Sequence, residues 1–420
     1  MMKRFRALVS AALLVATAAA LSPASPLAQD AGSAPKQKPI VIGVAGPFTG
    51  PSAQFGVQIR YGVTLAQEEI NAAGGINGRS VELTFEDDAA TQSEANKVAL
   101  KLASNKDIVA VIGHFNSSCS LAARGIYKDA GIVMFTPAST NANVTRGHPN
   151  VFRNIFNDNF QGHCVARLAK EILNSSRVAI LYDNDDYGRG LYEAFREKAD
   201  AIGLRVVADQ AYDRDTTDFR PQLQAIARRR PEALIVGGLY QEAALIARQA
   251  SELGMAIPII GSDGVFSGKF IELAGSTAEG ARVTTAFVFD ESDPAAMDFA
   301  RRVKERFDAE PDTWAAQSYD ALRLLAQAIG EVGSDRAAIR EKLATMTSVD
   351  KGFKGLTGLT YFDAQGDCVK PVVVAIVRDG KFRLNDKQLA PEDPAPAAEA
   401  AVVEAPGELT LEVEVVPAGE

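Results

Sequence analysis

Residues Ala110 to Thr140 read AVIGHFNSSCSLAARGIYKDAGIVMFTPAST, and the order of apolar and polar blocks in this stretch decides the fold class. Ile108 to Ile112 is an unbroken apolar run of strand length, and the polar turn His114-Phe115-Asn116-Ser117-Ser118 leads from it into a helical pattern. A second short strand over Ile132 to Phe135 ends in another polar turn, Thr136-Pro137-Ala138-Ser139-Thr140. Short strands that are apolar throughout fit a parallel sheet covered on both faces by helices. At the carboxyl edge of such a sheet, neighbouring strand-to-helix turns lie side by side and ligands collect there. A helix start carries N–H groups without partners and a partial positive charge, which favours an anion such as a carboxylate. Two adjacent hydroxyl-rich turns therefore point to a small anionic or zwitterionic ligand. The same serines and threonines also serve as ordinary helix caps, and this stretch alone leaves both readings open.

Outward from here the alternation of strand and helix continues. Toward the N-terminus, Pro39 to Ala45 is a strand, a helix begins near Gly56 and ends at the glycine stop Ala73-Gly74-Gly75-Ile76-Asn77-Gly78, and strand Val81 to Phe85 and helix Ser93 to Ala103 follow. Toward the C-terminus, Val151-Phe152-Arg153 reads as the start of a crossing into a second unit. That unit alternates helix Gln161 to Leu173, strand Val178 to Tyr182, helix Tyr187 to Ile202, strand Leu204 to Ala208, helix Phe219 to Arg228, strand Ala233 to Val236, helix Glu242 to Leu253 and strand Ile257 to Ile260. A β-rich segment over Arg282 to Phe289, three helices between Pro294 and Met346, and strands near Leu359 to Phe362 and Val372 to Val377 complete the pattern. Two successive strand–helix sets, split near Asn157 to Asn159 and rejoined near Phe287 to Asp290, predict an α/β protein of two similar lobes with mostly parallel sheets and more than one crossing.

The ends differ in composition. Lys3, Arg4 and Arg6 precede an apolar run from Ala7 to Leu21 and the small-residue stretch Ser22-Pro23-Ala24-Ser25-Pro26-Leu27-Ala28. This is the pattern of an export signal, residues 1–28, cleaved near Ala24 or Ala28, and the run is short for a bilayer span. Losing its three positive charges takes the formal net charge of the chain from −9 to −12. An acidic protein without a basic run is poorly suited to nucleic acid or anionic membrane. Residues 391–420 hold eight carboxylates and five prolines without a Lys or Arg, which predicts a disordered acidic tail. Cys119, Cys164 and Cys368 lack metal-ligand spacing; three isolated, mostly buried thiols are the favoured expectation, with a Cys119–Cys164 pair in an oxidising compartment as the alternative.

Chemistry finds little support. Gly43, Gly46 and Gly50 do not have the G-x-G-x-x-G spacing, and neither G-x-x-x-x-G-K-S/T nor G-x-S-x-G occurs. His114, His148 and His163 lack the paired spacing of a zinc site, and His114 reads as a packed, hydrogen-bonded side chain. No catalytic residue, metal or cofactor is expected. Arg228-Arg229-Arg230 reads as a solvated helix end.

An ordered set of motifs completes the reading: Gly46-Pro47-Phe48-Thr49-Gly50, Gln54-Phe55-Gly56, Ile70 to Gly78, Asp87-Asp88, Val111 to His114, Thr136-Pro137-Ala138, Asp186-Tyr187-Gly188-Arg189-Gly190, Asp218-Phe219, Gly237-Gly238 and Gly261-Ser262-Asp263-Gly264. With these, residues 40 to 385 resemble the periplasmic substrate-binding proteins of branched-chain amino acid ABC transporters, the leucine/isoleucine/valine-binding type. The resemblance implies a two-lobed type I periplasmic-binding fold with three interlobe crossings. Lobe 1 would comprise 39–158 plus 288–362, and lobe 2 159–287 plus 363–390. It implies an exported monomer that captures an amino acid and passes it to permease and ATPase subunits. Ser117, Ala138 and Thr140, with Ser139 in the same turn, match the holders of the ligand's carboxylate and amino groups. Asp263 matches the partner of the ammonium and Tyr187 a cleft tyrosine of the second lobe. Phe55 stands where the archetype has a pocket tyrosine. Leu239 replaces a cleft aromatic, with Tyr240 beside it. The positions of the archetype's disulfide hold Ala90 and Asn116, and the acidic tail has no counterpart. An amide, urea or aromatic carboxylate, bound in the same fold for transport or sensing, is the alternative ligand class. An acid at position 263 argues for a ligand bearing an ammonium.

Overall fold

The computed structural model describes residues 37–391. The expected export signal and, beyond Pro391, the expected acidic tail lie outside these residues. Within them, β1 (Ile40–Gly46), β2 (Val81–Asp87), β3 (Ile108–Ile112), β4 (Val133–Thr136) and β5 (Val151–Arg153) form a parallel sheet in the order β2-β1-β3-β4-β5. A second sheet contains β6 (Arg177–Asp183), β7 (Arg205–Tyr212), β8 (Ala233–Gly237), β9 (Ile259–Gly261) and β10 (Arg282–Thr285), all parallel. After a small hairpin, β11 (Phe353–Gly355) and β12 (Gly358–Thr360), the chain returns to that sheet. There β13 (Val373–Arg378) and β14 (Lys381–Leu384) add an antiparallel edge, giving the order β14-β13-β10-β9-β8-β6-β7.

The helices divide between the sheets. α1 (Ala53–Ala72), α2 (Gln92–Ser104) and α3 (Ser117–Asp129) connect strands of the first. α4 (Asp158–Arg167), α5 (Asp186–Ala201), α6 (Arg220–Arg228), α7 (Tyr240–Glu252) and α8 (Gly268–Ala274) cover the second. After β10 the chain goes back, and α9 (Pro294–Phe307), α10 (Thr313–Val332) and α11 (Arg336–Ala344) pack on the first lobe, α10 against α1 and β3, α11 against β4. Among the described residues the chain thus passes between the lobes three times: after β5, after β10, and between β12 and β13. This is a two-lobed type I binding fold.

Burial explains why the central strands form. Every residue of β3 and of β8 is buried, as a continuous Val/Ile/Leu run under helices on both faces requires. Each such aliphatic side chain contributes about 1.5–3 kcal/mol when taken out of water. β3 must also run close beside β1 as it leaves for the first polar turn. At Gly113 (φ +132°) a Cβ would lie 2.1 Å from the Ala45 carbonyl oxygen, so only glycine fits there.

Several elements differ from the sequence expectation. Val151-Phe152-Arg153 is the fifth strand of the first sheet, paired with β4, and the crossing begins after it. Its arginine is fully buried because Asp367 lies 2.8 Å away, a partner that local sequence does not reveal. The helix expected from Gln161 starts three residues earlier, at Asp158, because the Asn157 side chain accepts from the Phe160 N–H. Its end widens into a π-helical turn, Leu168–Ile172. Of the β-rich Arg282 to Phe289 segment, only Arg282–Thr285 pairs, and β11 and β14 were not anticipated.

Candidate functional site

Both polar turns of the organising stretch end at the face where the lobes meet. Asn116 precedes α3 in an extended conformation, but its side chain makes no cap and its Oδ1, buried, has no partner. The first turn of α3 therefore keeps open donors beside Ser117. The second turn is braced from within. Thr136 Oγ1 donates to the His114 carbonyl (2.8 Å) and accepts from Ser139 N (2.9 Å). Ser139 Oγ lies 2.9–3.0 Å from the carbonyls of Phe115 and His114 and 2.6 Å from Ser120 Oγ. The Arg153 guanidinium donates to the carbonyls of Ser139 (2.8 Å) and Asn141 (2.9 Å). Asn141 N in turn donates to Ser117 Oγ at 3.2 Å, tying the two turns together. Behind them His114 is packed between Asp88 (Nδ1 to Oδ2, 2.7 Å) and Tyr127 (Nε2 to Oη, 3.2 Å), all three buried.

The second lobe contributes the opposite chemistry. Asp263 follows β9 in a short 3-10 turn and is 1% exposed. Tyr187, in the first turn of α5, has its hydroxyl 2.5 Å from Asp263 Oδ1 and 2.7 Å from Ser262 Oγ, and it accepts from Gly264 N at 3.2 Å. Desolvation pushes the Asp263 carboxyl up to about 6, against the pull of Tyr187, Gln161 and the Gly264 N–H. Gly264 is required by space: a Cβ would come within 2.6 Å of the Gly238 carbonyl oxygen and 2.8 Å of Leu239 Cδ2.

These groups meet in one small pocket between the lobes. Its wall includes Ser117, Ala138, Thr140, Tyr187, Leu239 and Asp263 from the sequence-derived set, together with Phe115, Asn116, Gly264 and Trp314. The other three residues of that set stand off the wall. Ser139 spends its hydroxyl inside the turn, as described above. Phe55 lies behind the wall, stacked on Phe115 (centroids 4.1 Å apart) and edge-on to Trp314 (5.8 Å). Tyr240 packs edge-on to Phe55 and donates from its hydroxyl to the Pro51 carbonyl at 2.8 Å, bridging the lobes. A second bridge runs from Asn141 Nδ2 to the Asp186 carbonyl at 2.6 Å.

Besides Phe115, Asn116 and Gly264, which lie in turns already singled out, sequence reasoning missed two residues here. Trp314, 1% exposed, opens α10 and is held by Nε1 donating to the Phe266 carbonyl at 3.0 Å. Its signal was its standing as the chain's one tryptophan, at a helix start. Asp158, the first residue of α4, is fully buried behind Thr140, and neither carboxylate oxygen has a well-aligned hydrogen bond. Desolvation raises its carboxyl well above the usual range, the neighbouring Asp263 charge raises it further, and the Thr140 hydroxyl and Arg153 pull the other way. A lone aspartate in Asn157-Asp158-Asn159 looks like a turn residue, so only the fold could expose it. Cys119, Cys164 and Cys368 are buried, and no disulfide forms among the described residues.

The two lobes and the pocket between them define a solute-binding protein of the two-lobed type. The chain belongs to the periplasmic binding protein family, whose model matches residues 39–381. It is similar to an amino acid binding protein of Pseudomonas aeruginosa, 36% identical over 303 residues that cover 71% of this chain and 80% of that protein. Among solved structures it is similar to the leucine-binding protein LivK of Thermotoga maritima (34% identity, TM-score 0.77, covering 82% of this chain and 97% of that one). The branched-chain amino acid transporter substrate-binding protein LivJ of Streptococcus pneumoniae, in complex with isoleucine, is 31% identical with a TM-score of 0.77, covering 82% and 97%.

Proposed function

We propose that this protein captures an aliphatic, branched-chain α-amino acid between its lobes in the periplasm and delivers it to the permease and ATPase subunits of an ABC transporter, without chemical change. The observation that carries this is the pairing of opposite chemistries in one small cavity. Hydroxyls and helix-start N–H groups of the Ser117 and Thr140 turns suit a carboxylate. Across from them, buried Asp263, with Tyr187 on one oxygen, suits an ammonium. Phe115, Leu239 and Trp314 leave an apolar space for the side chain. The relatives named for an amino acid and for leucine, and the one in complex with isoleucine, support the same ligand class. A plain aromatic carboxylate, an amide or urea would leave Asp263 without a cationic partner, a costly state for a buried charge.

In this reading 39–158 plus 288–362 form one lobe and 159–287 plus 363–390 the other. Ser117, Ala138, Thr140, Tyr187 and Asp263 hold the zwitterion, with Asp158 packed behind Thr140. Isothermal titration against the twenty amino acids, urea, short amides and benzoate tests the assignment. Saturable heat is expected with isoleucine, leucine or valine; binding of benzoate-type acids in their place refutes it.

A further inference from the structure

The residue that aligns both ends of this site lies outside it, on the third crossing. Asp367 belongs to the turn Asp363 to Asp367, whose own N–H groups at Gln365 and Asp367 are satisfied by Asp363 Oδ1 at 2.9 Å. Its carboxylate faces away from that turn and gathers three groups of the first lobe and first crossing. Thr145 Oγ1 donates to Oδ1 at 2.7 Å, and Asn157 Nδ2 donates to Oδ2 at 2.7 Å. Arg153 Nε lies 2.8 Å from Oδ1, an ion pair whose N–H is not aimed along the line between the atoms. Arg153 Nη2 also reaches Thr145 Oγ1 at 3.2 Å, and the Arg153 N–H donates to the Gly366 carbonyl at 3.2 Å.

Each partner continues to one end of the cavity. Arg153 spends its two terminal nitrogens on the carbonyls of Ser139 and Asn141, which flank Thr140. Asn157, oriented by Asp367 through its amide nitrogen, caps α4 with its amide oxygen. The first residue of α4 is Asp158, and one turn on is Gln161, whose amide donates to Thr284 Oγ1 at 3.0 Å and lies near enough to Asp263 to pull its carboxyl down. We infer that Asp367 is a positioning residue for ligand binding: by holding Arg153 and Asn157 it sets the Thr140 turn and the start of α4, which carries Gln161 toward Asp263, in one register, and ties both to the third crossing. A buried arginine whose one ion pair among the described residues is with Asp367 cannot lose it without rearranging. The rearrangement falls on the Ser139 and Asn141 carbonyls and hence on Thr140.

This inference rests on the amino acid reading, and the test separates the two. In the mature full-length chain, Asp367→Asn and Asp367→Ala are compared with the parent for isoleucine affinity by titration calorimetry. Backbone hydrogen exchange in ligand-free protein is followed over residues 136–145 and 157–163. The expected losses of affinity are about tenfold for Asn and about a hundredfold for Ala, with faster exchange in both segments. In a double-mutant cycle with Thr140→Val, the combined loss should fall short of the product of the single losses by about threefold or more. Affinity within about twofold of the parent in Asp367→Asn with unchanged exchange overturns the inference, as does multiplicative loss in the cycle. A parent that binds no amino acid refutes the proposed function, and the exchange rates still decide whether Asp367 holds the two segments.

Discussion

The two walls of the cavity face the same small space with contrasting designs. The first-lobe wall is a braced scaffold: Thr136, Ser139 and Arg153 satisfy its inner polar groups, and what it offers the cavity are N–H groups and the hydroxyls of Ser117 and Thr140. Such dipoles stay the same across the pH range. The second-lobe wall offers a buried carboxylate, which keeps its charge only against a desolvation penalty. The lesson is that the pH-independent and the pH-dependent contributions to binding come from opposite sides of the cleft. One wall is ready for an anion at all times, and the other becomes comfortable only when a cation arrives.

The strongest way to break this contrast is to remove the charge. Asp263→Asn keeps the shape and leaves an amide facing the ligand ammonium, and affinity should fall by about 3 kcal/mol, about a hundredfold, in titration calorimetry. An effect of that size from Asp263→Asn, with the fold intact by circular dichroism, places the ammonium on the second lobe. A loss of less than about threefold would move it elsewhere.

The second test sharpens the contrast by pH. Ligand binding needs ionised Asp263, so affinity should hold above the Asp263 value of about 6 and weaken by up to about tenfold for each unit below it. Stability of the ligand-free protein should run the other way. The folded Asp263 carboxyl titrates above its ordinary value of 3.8, so the native state holds its proton longer than the unfolded chain does. Its contribution is fully present below about 4 and is lost as pH rises through about 6. Glu242 (about 7) and Asp312 (about 8), also raised by burial, act in the same sense. The comparison is therefore between parent and Asp263→Asn: the difference in their melting temperatures should shift between pH 4 and pH 6.5 and level off above. A constant difference would remove Asp263 from the account.

The smallest expected effect concerns how the walls are held together. Tyr240→Phe deletes one interlobe hydrogen bond to the Pro51 carbonyl and leaves the ring packed on Phe55. It should raise the dissociation constant by about fivefold, near 1 kcal/mol, through faster release measured by stopped flow. A change confined to the association rate would show that Tyr240 does not act as a latch.

Much of this architecture was legible beforehand because parallel sheets under helices leave continuous apolar runs, and β3 and β8 are such runs. The failures have local causes. Val151-Phe152-Arg153 read as the start of a crossing, yet it is a strand whose charged residue is buried because Asp367 accompanies it. Phe55 and Tyr240 were expected on the wall from resemblance alone, and the stack of Phe55 on Phe115 sets them one layer back.

By itself the sequence determined the α/β alternation, the two polar turns after β3 and β4, and an acidic residue after β9, because periodicity and turn chemistry act over a few neighbouring residues. Only the tertiary structure decided which of these side chains share a cavity, that Asp158 lies buried behind Thr140, and that Asp367 joins Arg153 to Asn157 across more than two hundred positions of chain. Those choices depend on desolvation and on partners brought together by the crossings, and no local window of residues contains them.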